Sequence, residues 1–336
     1  MDWKNQTVLV TGAGGFIGSQ LVEALLAEGA RVRAFVRYNS RGDPGLLRLL
    51  PSPTIGRGAG GEGQLEIIPG DLRDQRAVYE AARDCELVFH LGALISIPYS
   101  YRHPSEVAEV NFMGTLNVLM ACRDLGIPRL IHTSTSEVYG TARRAPIDEG
   151  HPLQGQSPYS ASKIGADKLA ESFYCAYNLP VVTVRPFNTF GPRQSARAVI
   201  PAIITQALVR NTIHLGNLDT TRDFTYVSDT VRGFLLAAAA PGVEGGVFNL
   251  GTGEEIRIGD VAERIAQKVG HPVEIVIDPE RLRPEKSEVL RLISDNRLAR
   301  EALGWSPQVG LEDGLDKTIA WIRAHMDLYQ PGRYEF

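Results

Sequence analysis

Two residues whose chemistry depends on their spacing, Tyr159 and Lys163, stand four apart in the run Ser157-Pro158-Tyr159-Ser160-Ala161-Ser162-Lys163. On a helix, positions i and i+4 share one face, so the ammonium can sit beneath the phenol ring. A free phenol titrates near about 10, and a close positive charge favours its ionised form. The pair is therefore suited to taking a proton near neutral pH. Far upstream, Thr11-Gly12-Ala13-Gly14-Gly15-Phe16-Ile17-Gly18 spaces Gly12, Gly15 and Gly18 three apart behind a short apolar run. Glycine lets the backbone approach a pyrophosphate, and the helix N-terminus that follows supplies amides and a partial positive charge. Together the two segments imply a proton moved beside a bound dinucleotide.

A third segment, Thr133-Ser134-Thr135-Ser136-Glu137-Val138-Tyr139-Gly140, adds hydroxyls and one carboxylate. Alone, Thr135 or Ser136 would cap a turn and Glu137 would be a surface charge. Lying at the carboxyl end of a strand and ahead of the Tyr/Lys pair, they face the same crevice.

The elements that must position these groups follow from apolar periodicity. Thr7 to Val10 is a strand, Phe16 to Glu28 a helix ended by Gly29, and Arg31 to Val36 a second strand. Further strands are expected at 65–68, 87–90, 129–134, 181–185 and 247–250, with helices between. Alternating strands and helices imply a doubly wound parallel sheet of the Rossmann type, an α/β fold that binds ligands at the strands' carboxyl ends. The Gly-, Pro- and Ser-rich stretch Ser40 to Gly63 is expected to be a mobile excursion near the cofactor. Beyond Pro186 the alternation becomes irregular. The expected division is 1–185 plus 225–251 for the dinucleotide-binding domain, and 186–224 plus 252–336 for a smaller mixed α/β lobe over it.

Phe16 and Ile17 belong to the pyrophosphate turn. An acidic residue at the end of the second strand would bind the ribose 2′-hydroxyl of NAD, but Val36 falls there and Arg37 follows. A guanidinium suits a 2′-phosphate, which favours NADP over NAD. Asp71 and Leu72 are expected at the adenine edge, and Leu91, Gly92 and Ala93 beneath the cofactor.

Composition narrows the class. The chain has 336 residues, a net charge of −4 and scattered basic residues, without the stripe a nucleic-acid partner requires. No apolar run approaches the roughly 18 residues of a membrane span. The N-terminus enters a strand directly and does not resemble a signal peptide. Cys85, Cys122 and Cys175 follow no metal spacing and are expected as buried, reduced thiols. The seven histidines form no HxxxH or HxH pair, so no metal is expected. A cytoplasmic location fits these features.

Gly12-x-x-Gly15-x-x-Gly18, Tyr159-x-x-x-Lys163, Arg185-Pro186-Phe187-Asn188 and Arg222-Asp223-Phe224-Thr225-Tyr226-Val227 resemble the extended short-chain dehydrogenase/reductases that act on nucleotide sugars. The likeness spans nearly the whole chain. Thr135-Ser136-Glu137-Val138-Tyr139-Gly140, Gly155 to Tyr159 and Asn188 to Arg197 look like nucleotide-sugar 4,6-dehydratases, nearest to the group acting on nucleotide-linked N-acetylglucosamine in legionaminic-acid-type pathways. That resemblance implies a redox-neutral cycle. Tyr159, aided by Lys163 and Thr135, would deprotonate the 4-hydroxyl as C4 is oxidised. Glu137 would deprotonate C5, water would leave from C6, and hydride would return there from the retained cofactor.

One departure matters. Glucose-type dehydratases carry Thr-Asp-Glu, the Asp protonating the departing hydroxyl, whereas Ser136 stands here. Serine is a poor proton donor, so either it relays through water or Glu137 delivers the proton it took. The resemblance further implies that Asn188, Arg193, Arg222, Arg283 and Ser96 contact the substrate, the arginines as forks for phosphate oxygens. The helices Glu106 to Arg123 and Ser160 to Tyr177 would build a four-helix bundle in a homodimer. The alternatives within the superfamily are a UDP-glucuronate decarboxylase, a 4-epimerase, which has no use for a C5 base, and a 5,6-dehydratase. A non-enzymatic dinucleotide sensor would need no Tyr159, Lys163 and Glu137 together.

Overall fold

A computed structural model describes residues 2–4, 6–50 and 64–331 of the chain. In chain order the main elements are β1 (Thr7–Thr11), α1 (Phe16–Ala27), β2 (Arg31–Arg37), β3 (Gln64–Gly70), α2 (Gln75–Ala82), β4 (Leu87–His90), α3 (Ile97–Arg102), α4 (Pro104–Ala108), α5 (Gly114–Leu125), β5 (Leu130–Thr133), α6 (Pro158–Tyr177) and β6 (Val181–Pro186). They continue with β7 (Asn188–Phe190), α7 (Val199–Val209), β8 (Thr212–Leu215), β9 (Thr221–Arg222), β10 (Phe224–Tyr226), α8 (Val227–Ala239), β11 (Val247–Leu250), β12 (Ile256–Arg257), α9 (Ile258–Val269), β13 (Glu274–Ile277), α10 (Arg297–Leu303) and α11 (Leu311–Ala324).

Seven parallel strands form one sheet in the order β11-β6-β5-β4-β1-β2-β3. Strands β4 and β6 are buried throughout, as continuous apolar runs covered on both faces should be. All seven were expected at these places, within a residue or two at their ends. The order turns at β1, from which the chain builds outward in both directions. Ligands bind at such a switch point.

The irregular part after Pro186 resolves into three two-stranded pairs, β7 with β10, β9 with β12 and β8 with β13. Helices α7, α9 and α11 pack on one another beside them. One apolar core runs unbroken from Val8 and Phe89 in the sheet to Ile203, Val261 and Ile319 in these later helices. No helix among the described residues is long and apolar enough to cross a membrane.

Three expectations need correction. The helix expected over Glu106 to Arg123 is α4 and α5 joined through one π turn, Glu109–Met113. The stretch from Ser40 is not wholly loose: Gly45–Leu49 forms a 3₁₀ turn with Leu47 in the core and Leu46 N donating to Gly14 O. Residues 51–63, the rest of that expected excursion, lie outside the described residues. Cys85 and Cys122 are buried, but Cys175 is exposed on α6.

Candidate active site

Local sequence fixes where the acid–base helix begins. Ser157 Oγ accepts from Ser160 N and Ser160 Oγ accepts from Ser157 N, with Pro158 at the first turn. This reciprocal cap starts α6 at Pro158 and brings Tyr159 into its first turn. Asn178, at φ +53°, ends it. Tyr159 and Lys163 both turn inward, at 7% and 4% exposure.

The glycine turn is built for close approach. A Cβ on Gly12, at φ +69°, would meet the backbone of Gly92 at 2.8 Å, and one on Gly18 would strike the Gly12 carbonyl. Gly15 precedes α1 with no side-chain cap, and Phe16 and Ile17 of its first turn line the cavity. Those features fit a pyrophosphate. Gly12, Gly15, Phe16, Ile17, Gly18, Val36, Arg37, Leu91 and Ala93 line one cavity of about 900 Å³ together with Thr135, Ser136, Glu137 and Tyr159. Gly92, Asp71 and Leu72 lie around the adjoining recess, which Gly12, Arg37 and Ala93 also reach. Asp71 is paired with Arg73 at 2.7 Å. The Arg37 guanidinium is mostly exposed and lies 3.5 Å from Glu106.

A second cavity, holding Arg222, Leu215 and Phe224, shares Glu137, Asn188, Thr189, Gln194 and Arg283 with the first, so the two form one cleft. Glu137 stands where they meet. Asn188 Oδ1 is buried without a hydrogen-bond partner among the described residues. Arg222 and Arg283 converge on Glu288 Oε1, at 3.7 and 3.6 Å.

Two predicted substrate residues are placed otherwise. Arg193, at φ +71°, turns its guanidinium onto Glu23 Oε2 of α1 at 2.7 Å and is absent from the cleft lining. Ser96 caps α3, its Oγ accepting from Tyr99 N, while its neighbours Ile95 and Ile97 line the cavity.

Burial works against one expectation. Burial pushes the Tyr159 phenol above its ordinary value, the hydrogen bond with Thr135 opposes this, and the charges of Glu137 and Asp167 add to it. Lys163 is buried on the same face of the helix. Its Nζ donates to Thr133 O at 2.7 Å, and burial lowers its own pKa to about 8, against the pull of Asp167.

Several buried groups beneath the site escaped sequence reasoning. Asn111, in the π turn, donates to Ser162 Oγ at 3.0 Å and to Leu94 O at 2.9 Å. Such turns within helices often mark functional places. Asp167, Arg185, Tyr139 and Glu288 also went unassigned. Asp167 alone carried a spacing signal, four residues past Lys163.

Residues 9–318 match the family model described as GDP-mannose 4,6 dehydratase. A dTDP-glucose 4,6-dehydratase of Actinoplanes sp. is 32% identical, over 95% of this chain and 98% of its own. A UDP-glucose 4-epimerase of Mycolicibacterium smegmatis is 36% identical, over 94% of this chain and 98% of its own. Among solved structures, the dTDP-glucose 4,6-dehydratase DesIV of Streptomyces venezuelae, with NAD bound, superposes at TM-score 0.86 with 29% identity, covering 97% of this chain and 99% of the other. The glycine turn, the Tyr159–Lys163 pair and this end-to-end agreement lead to one conclusion: the chain belongs to the GDP-mannose 4,6-dehydratase family, within the nucleotide-sugar 4,6-dehydratase group of the extended short-chain dehydrogenase/reductases.

Proposed function

We propose that the protein converts UDP- or GDP-linked N-acetylglucosamine to the 4-keto-6-deoxy sugar. Glu137 is the observation that carries this reading: its carboxylate lies where the cavity of Tyr159 and Thr135 opens into that of Arg222. A nicotinamide dinucleotide, when bound, supplies the acceptor for hydride from C4 and its return to C6. Tyr159 takes the 4-hydroxyl proton. Because burial holds its phenol up, that transfer depends on Lys163 keeping its charge. The ketone acidifies the C5–H, Glu137 takes that proton, and the C6 hydroxyl leaves as water. C5 regains a proton as C6 is reduced. Ser136 either relays the leaving-group proton through water, or Glu137 returns the one it removed. Asn188, Arg222 and Arg283 hold the sugar and its diphosphate.

Arg37, at the end of β2, and Arg41 just beyond it, both on the cavity wall, support NADP as the preferred dinucleotide. Exposed Met113 beside α5, and Tyr174 and Tyr177 on α6, support a homodimer joined through these helices in a four-helix bundle. A cytoplasmic location goes with this substrate class.

The purified protein is incubated with UDP- and GDP-N-acetylglucosamine without added reductant and followed by mass spectrometry. Loss of one water with no net change in reduced cofactor is the expected result. Glu137→Gln should keep cofactor binding and lower turnover by about 10²–10⁴-fold, with solvent deuterium no longer entering C5. Undiminished exchange in that variant defeats the reading. The Mycolicibacterium smegmatis relative favours a 4-epimerase as the second reading. An epimerised product of unchanged mass would put it first.

A further inference from the structure

Tyr159, Lys163 and Asp167 form a stripe on α6 at four-residue steps, all buried. The third member is tied to everything around the first two. Asp167 Oδ2 accepts from Ser134 Oγ at 2.8 Å and from Arg185 Nε and Nη2 at 3.1 and 2.9 Å. Its Oδ1 lies 3.1 Å from His132 Nε2. Arg185 Nη1 reaches on to Tyr139 Oη at 2.9 Å, and that hydroxyl donates to Asn249 Oδ1 at 2.7 Å. Tyr139 closes the 3₁₀ turn Ser136–Tyr139, which carries Glu137. One ion pair thus clamps three segments: the helix of Tyr159 and Lys163, the strand end leading into Thr135, and the turn of Glu137.

We propose that Asp167, with Arg185, is the positioning residue of this site: the pair fixes the Tyr159–Lys163 face of α6 against the Thr135–Glu137 turn and places a permanent negative charge behind the Lys163 ammonium. The inference rests on the function proposed above and adds to it a group that touches neither sugar nor cofactor. The surroundings of Lys163 support the second half. His90 of β4 and His132 of β5 face it from the sheet, Tyr159 and Asp167 share its helix, and Arg185 of β6 stands behind Asp167. Burial lowers both histidines, so they stay neutral near pH 7. For Asp167, burial alone would raise the carboxyl, but the His132 hydrogen bond and the Arg185 charge outweigh it and hold it ionised. Its charge works against the burial that lowers Lys163.

The sign of the test follows. Lys163 must be charged to aid Tyr159, so the rate falls as pH rises through its pKa. Removing the Asp167 charge moves that alkaline limb to lower pH, by on the order of one unit. Asp167→Asn should lower kcat by roughly 10–100-fold with KM within about threefold, and Asp167→Glu should restore part of the loss. Asp167→Asn leaves Arg185 unpaired, so the double variant Asp167→Asn/Arg185→Gln, in which no stranded charge remains, is measured beside it. A folded double variant that still loses kcat and keeps the shifted limb supports the proposal. Wild-type kcat and an unmoved limb in either folded variant overturn it. The Lys163 titration is followed separately by NMR of isotopically labelled lysine, which needs no turnover. A protein inert on every nucleotide hexose would therefore sink the proposed reaction and leave this arm readable, and an unchanged Lys163 titration in Asp167→Asn would sink the inference alone.

Discussion

Asp167 and Asp223 are both nearly cut off from water, at 5% and 0% exposure, yet the protein holds them by different means. Asp167 meets the guanidinium of Arg185 and remains ionised. Asp223 meets neutral donors: Thr252 N and Oγ1 at 2.8 and 2.7 Å, Gly253 N at 2.9 Å and Ser294 N at 3.1 Å. Burial raises its carboxyl, and those hydrogen bonds offset part of the rise. The first sits under the acid–base helix, where a fixed charge has work to do on Lys163. The second follows Arg222 and ties its strand to the loop at 251–253, where shape alone is required. Of these two carboxylates, only the one beneath the Tyr159–Lys163 helix is given a cation.

Breaking the ion pair gives the largest effect. Arg185→Met strands the Asp167 charge and should cost about 3–5 kcal/mol of unfolding free energy by chemical denaturation. A loss below about 1 kcal/mol would erase the distinction between the two carboxylates. Asp223→Asn replaces an acceptor for several donors with a half-donor, at roughly 3 kcal/mol, the upper end for a charged acceptor. Its kinetic mark should fall on KM for the nucleotide sugar, opposite to the kcat loss expected of Asp167→Asn. Equal splits in both variants would blur the comparison.

The pH dependence of stability separates them next. The Asp167 carboxyl lies near 2 in the folded protein against about 3.9 unfolded. Its contribution is complete above about pH 4 and drains away as pH falls toward 2, on the order of 2 kcal/mol in all. Asp223, raised in the fold, acts with the opposite sign: its stability is highest at low pH and declines as pH rises through the carboxylate range. Denaturant midpoints measured across acid pH should show Asp167→Asn and Asp223→Asn flattening opposite slopes. The smallest effect belongs to Ser134→Ala, which removes one of several donors to Asp167 and should cost about 1 kcal/mol.

Much of this site is legible in the chain because its signals are local. The glycine turn, the four-residue step from Tyr159 to Lys163 and the run around Glu137 need only helix and strand geometry to become meaningful. The sheet was legible for the same reason, as its central strands are apolar runs buried on both faces. What sequence could not supply is partner choice across long separations. Arg193 was assigned to substrate by its place in a motif, but its backbone turn delivers it to Glu23, far away in the chain. Arg185 stood in an equally visible motif, and its role emerges only when Asp167 and Tyr139 arrive beside it. Lys163 was expected to lower the phenol, and burial acts against that, because charge proximity is a spacing argument whereas burial belongs to the whole fold. The pairs after Pro186 were missed because their strands are two to four residues long and, unlike β4 or β6, most are not continuous buried apolar runs.

The chain lays its seventh sheet strand, β11, only after the short pairs and α7 that follow Pro186, and then returns to that part with α9 and α11. On the function proposed above, the pieces that hold the sugar nucleotide are thus interleaved along the chain with those that hold the dinucleotide. A single crossover between two relatives would then exchange parts of both sites at once, whereas point changes along the cleft wall alter one alone.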